Sequence, residues 1–69
     1  MPWNPSQLKK LREQRGLSQV ALAERAGTHP ISIAKWETGG RTPTIEALEK
    51  LAKALRVPVT DLLKGRRST

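Results

Sequence analysis

The sequence predicts an all-α domain of five short helices, and three features carry that expectation. Apolar residues recur three and four apart, the period of a helix half-buried against a core. Asparagine, serine and threonine precede these runs and glycines follow them, as helix starts and stops require. No stretch reads as a strand.

Asn4-Pro5-Ser6-Gln7 opens the first helix with an N-cap, a proline at the first helical position and a glutamine at the third. Leu8, Leu11 and Arg15 then fall on one side until Gly16, giving a helix over about residues 5 to 15. Ser18 caps a second helix of about two turns, in which Leu22, Ala23 and Ala26 face inward, and Gly27 supplies the left-handed exit of a tight turn. The third begins at His29 with Pro30 in its first position and ends at Gly39. At about 100° per residue, Ile33, Trp36 and Glu37 share one face, while Thr28, Ile31, Lys35 and Thr38 share the opposite one. Gly39-Gly40-Arg41-Thr42-Pro43 is a loop by composition. Thr44 caps a fourth helix whose Ile45, Leu48, Leu51, Ala52 and Leu55 form the clearest amphipathic stripe in the chain. Arg56-Val57-Pro58 interrupts it, and Val59 through Lys64 is long enough for a short fifth helix carrying Leu62 and Leu63. Residues 1–64 thus form one domain, and 65–69 a solvated basic tail.

A chain of 69 residues buries only about 60% of its unfolded surface, so its core is economical or completed by a second copy, and a homodimer is expected. There is no cysteine and one histidine, His29, which rules out a disulfide framework and the common structural zinc sites. No cofactor is expected. Thirteen Lys and Arg against six acids give a net charge of +7 and a pI near 11.0, which favours a polyanionic partner. No apolar run approaches the roughly 18 residues of a membrane span, and the N-terminus lacks a signal pattern, so the expected location is cytoplasmic. The acids are scattered on amphipathic faces, and His29 has no nucleophile near it in the pattern. No catalytic residues are assigned, and the chain is not expected to be an enzyme.

Two short helices joined by a glycine turn, the second with little apolar character on its outer side, form a helix-turn-helix. Leu17-Ser18-Gln19, Leu22-Ala23, Ala26-Gly27, Trp36-Glu37-x-Gly39, Pro43, Leu51-Ala52-x-x-Leu55 and Leu62-Leu63 fall in register with it. With these residues the chain resembles the phage repressor and Cro-like helix-turn-helix family from about Leu8 to Leu63. The resemblance implies a compact five-helix domain in which helices two and three form the DNA-reading unit. It also implies a sequence-specific double-stranded DNA-binding regulator, acting as a homodimer and repressing by occupancy of an operator.

In that family base edges are read from the first half and middle of helix three, here Pro30, Ile31, Ser32 and Lys35. Lysine pairs with guanine O6 and N7, serine is permissive, and isoleucine packs on a thymine methyl. Gln19 stands where the family's glutamine touches phosphate and braces the reading helix. His29 at the cap, the amides of Gly39 and Gly40, and Arg41 and Thr42 are expected at the phosphate backbone. Arg12 and Glu37 correspond to a semi-buried structural ion pair. Trp36, on the face of Ile33, is assigned to the core rather than to base stacking. Trp3 either staples the N-terminus or meets a partner. Arg56 stands where the family favours glycine or asparagine, and Pro58 where it favours a hydroxyl cap, so the turn into the fifth helix is expected to be strained or reshaped.

Apolar residues cluster beyond the core stripe at Val57, Pro58, Val59 and Leu62, the expected dimer surface. The alternative reading is a protein-interaction module, an antitoxin or adaptor on the same scaffold, with a toxin or a polymerase as protein partner.

Overall fold

Four α-helices and one 3-10 turn make up the computed structural model, which describes residues 3–63. The expected basic tail over 65–69, and Lys64 before it, lie outside the described residues. In chain order the elements are α1 (Pro5–Gln14), α2 (Gln19–Ala26), α3 (Pro30–Thr38), α4 (Ile45–Leu55) and a 3-10 turn (Val59–Leu62).

Each helix with a hydroxyl or amide cap starts where that side chain takes up an otherwise unpartnered amide. Asn4 Oδ1 accepts from the Gln7 amide at 3.2 Å, Ser18 Oγ from Ala21 at 3.0 Å and Thr44 Oγ1 from Ala47 at 3.1 Å. Three helices end on a left-handed residue: Gly27 at φ 69° after α2, Gly39 at φ 83° after α3 and Arg56 at φ 61° after α4. Arg56 thus takes the same left-handed exit as the two glycines, so of the two expected outcomes the turn is strained and not reshaped.

The fifth helix is a correction. Four residues, Val59–Leu62, form a 3-10 turn instead. Pro58 precedes it and supplies no side-chain cap, and a segment this short cannot repay the nucleation of an α-helix. Packing of Leu62, which is 0% exposed, holds it in place.

The helices enclose one core. α2 packs on α3 and α4, α1 packs on α3, and the 3-10 turn closes against α4 and α1. Leu8, Leu22, Ile33, Leu51, Leu55 and Leu62 are its largest fully buried side chains. Ile45 departs from the expected stripe and is 61% exposed. As the first residue of α4 its side chain leans towards the N-terminus, past the end of the bundle, because the Cα–Cβ bonds of a helix tilt that way.

Side chains tie the ends together. Arg15, exposed on its outer side, donates from Nε to the Leu55 carbonyl at 2.8 Å, taking up one of the free carbonyls at the end of α4. Trp3 Nε1 donates to the Trp36 carbonyl at 3.2 Å, and the Asn4 amide to the Leu62 carbonyl at 3.2 Å. Trp3 thus staples the N-terminus to the end of α3.

Candidate nucleic-acid interface

α3 is fixed from one side and open on the other. Ile33 is fully buried and Trp36 is 7% exposed, so the inner face is anchored in the core. On the outer face Ile31 is 70% exposed, and Lys35 and Thr38 are exposed beside it. Pro30 and Ser32 are half-buried on the flanks. The four residues expected to read bases therefore share the first half and middle of one helix, with Ile31 and Lys35 projecting furthest.

The C-terminal half of α3 is held by an ion pair. Arg12 Nε donates to Glu37 Oε2 at 2.6 Å, and Nη2 to Oε1 at 3.2 Å. The remaining guanidinium nitrogen, Nη1, donates to the Leu17 carbonyl at 2.7 Å. The two side chains are only 10% and 4% exposed. The hydrogen bond to Glu37 raises the pKa of Arg12 above its ordinary value, against the opposing effect of burial. A carboxylate near a helix C-terminus runs against the helix dipole, and Arg12 is what makes it tolerable there.

Gln19 joins the same group. Its Nε2 donates to Glu37 Oε1 at 3.1 Å, so the first residue of α2 braces the far end of α3. One carboxylate thereby locks α1, the start of α2 and the end of α3 together.

Two of the groups expected at phosphate are otherwise engaged. The Gly39 amide donates to the Trp36 carbonyl at 3.3 Å and the Gly40 amide to the Lys35 carbonyl at 2.9 Å. The Arg41 amide follows to the same Lys35 carbonyl at 3.3 Å. These amides close α3 by satisfying its last carbonyls, which corrects the expectation that the glycine amides face a ligand. What the loop presents outward is the side chains of Arg41 and Thr42, both exposed, on a segment anchored by buried Pro43. His29 is exposed and makes no side-chain capping bond to α3.

The expected dimer surface is also narrower than its residue list. Leu62 is fully buried in the chain's own core, and a side chain with no exposed surface has none to give to a second copy. Val57 and Val59 are half-buried against that core, and Pro58 is exposed.

Sequence reading missed the contacts of Arg15 with Leu55 and of Arg12 with the Leu17 carbonyl. For Arg15 a signal was present: it follows Leu8 and Leu11 on the inward side of α1.

A helix-turn-helix family profile matches residues 8–62. The HTH-type transcriptional activator BcrR of Enterococcus faecalis is 36% identical over 58 residues, covering 84% of this chain and 28% of the relative. The cryptic phage CTXphi transcriptional repressor RstR of Vibrio cholerae is 34% identical over 58 residues, covering 84% of this chain and 52% of the relative. The chain thus spans about half or less of the length of these curated relatives. The P22 c2 repressor, solved in complex with a synthetic operator, superposes with a TM-score of 0.85 at 31% identity, over 90% of this chain and 94% of that one. Matched from Leu8 to Leu62 and built around a glycine-turned helix pair, the chain belongs to the helix-turn-helix family.

Proposed function

We propose that the chain is a sequence-specific double-stranded DNA-binding regulator that lays the outer face of α3 in the major groove. The observation that carries this reading is the division of α3: Ile33 and Trp36 are buried while Ile31, 70% exposed, and Lys35 stand clear of the chain. The similarity to a repressor solved with its operator supports it.

Lys35 reads guanine and Ile31 a thymine methyl, with Pro30 and Ser32 shaping the approach. Gln19, His29, Arg41 and Thr42 lie against the phosphates, which supply most of the affinity without sequence information. The regulator acts as a homodimer through Val57, Pro58 and Val59, on half-sites about one helical turn, roughly 34 Å, apart. Occupancy of the operator represses.

Selection from a randomised duplex pool, followed by fluorescence anisotropy against salt, tests the reading. Expected is an enriched palindrome whose log K falls with log salt by about 0.9 per neutralised phosphate. No enrichment, or a Lys35→Ala variant binding the selected duplex as the parent does, overturns it. For the dimer, Val59→Glu should shift the mass in dilute solution to that of a monomer, and an unchanged mass removes this surface from the proposal.

A further inference from the structure

A shallow groove of about 600 Å³ runs between the C-terminal end of α2 and α4. Its lining carries Arg25, Lys50, Lys53 and Arg56 against a single carboxylate, Glu24, with half-buried Ala54 beside them. No residue of α3 lines it, so it is a different surface from the outer face of the reading helix. Lys50 and Lys53, three apart on α4, are neighbours on its surface, and Arg56, one residue past the end of the helix, lines the same groove. Lys50 has a loose exposed pair with Glu46 at 3.9 Å. Arg25, Lys53 and Arg56 make no ion pair among the described residues.

The backbone singles out one of these cations. Arg56 is the only non-glycine with positive φ among the described residues, at 61°, where α2 and α3 use glycine for the same exit. A side chain in this conformation is strained, and glycine relieves the strain. Nothing in the fold demands an arginine there: its side chain is exposed, and the neighbouring Leu55 carbonyl is already taken by Arg15. Strain retained where packing does not need it points to a use for the side chain. The guanidinium of Arg56 extends the lysine row by one cation.

We infer that this groove docks an acidic segment of a protein partner, with carboxylates on the four cations and a small apolar side chain on Ala54. Charge complementarity selects the sign of the occupant. A second copy of this chain, at +7, brings the wrong one. The half-buried methyl of Ala54 favours a polypeptide, whose apolar side chains can cover it, over a row of phosphates. Docking on this side leaves the α3 face free, so the inference stands or falls separately from the DNA reading.

The probe is a short synthetic peptide of Glu, Ala and Leu, titrated into the isotope-labelled chain and followed by amide chemical shifts. Expected shifts map to Arg25, Ala26, Lys53, Ala54 and Arg56, and leave Ile31 and Lys35 in place. Arg56→Gly is expected to raise Tm by about 4–8 °C, the shift for one released strain of this kind in a small domain. The same variant should weaken peptide binding about two- to fivefold, the range for one exposed charge pair. Lys10→Ser, which removes one charge from an exposed position of α1, should leave peptide affinity unchanged. The inference is overturned if Lys10→Ser weakens binding as much as Arg56→Gly, which marks general electrostatics. It is equally overturned if the shifts map to α3, or if random duplex or inorganic polyphosphate moves the groove amides more than the peptide does.

Discussion

The two faces of α3 obey opposite rules although they alternate within one nine-residue helix. Its inner face is over-determined: Ile33 and Trp36 fill the core, and Glu37 is gripped by Arg12 and Gln19. The outer face has Ile31 and Lys35 with no packing demand on either. Residue identity on the inner side is thus answerable to the fold, and on the outer side to whatever the helix meets. Rigidity behind is what gives the front its value, since a reading helix must present its side chains in a fixed register.

Substitutions separate the faces by what they change. The largest effect is expected for Arg12→Ala, which leaves Glu37 buried and unpaired and should destabilise the fold by about 3–5 kcal/mol in denaturant titration. A loss below about 1 kcal/mol, the range of exposed pairs, would mean that the inner face is not locked as described. Gln19→Ala comes next, removing one hydrogen bond to a buried carboxylate, at about 1.5–3 kcal/mol. It should lower both stability and DNA affinity, because it sits where the two faces are coupled. Lys35→Ala should leave Tm within a degree or two and weaken binding to the selected duplex by about 1–3 kcal/mol. The smallest effect is a single methyl: replacing the contacted thymine by uracil should weaken the parent by about 0.8 kcal/mol and leave Ile31→Ala indifferent. Equal losses in the parent and in Ile31→Ala would show that the isoleucine does not read that methyl.

Local signals were legible and tertiary ones only partly so. The caps Asn4, Ser18 and Thr44 and the exits at Gly27 and Gly39 act within a few residues of themselves, so residue type and spacing locate them. The inner and outer faces of α3 followed from its period. The Arg12–Glu37 pair spans 25 positions, and no local pattern announces such a contact; the family resemblance supplied it. The glycine amides were misjudged because a sequence names the residue but not the direction of its N–H. Ile45 and Leu62 were misplaced for a related reason: an apolar stripe gives a face, and only the assembled bundle decides where that face runs off the end or closes over. The fifth helix failed on length, since propensity has little to act on over four residues.

The chain has two tryptophans and neither tyrosine nor phenylalanine. Trp36 lies within the core, and Trp3 reaches its carbonyl at 3.2 Å. Both chromophores of the molecule therefore sit at one junction, where the N-terminus meets the end of α3. Intrinsic emission and near-ultraviolet dichroism become a label-free gauge of whether that helix is seated, and an unfolding curve followed this way reports on the scaffold behind the reading surface.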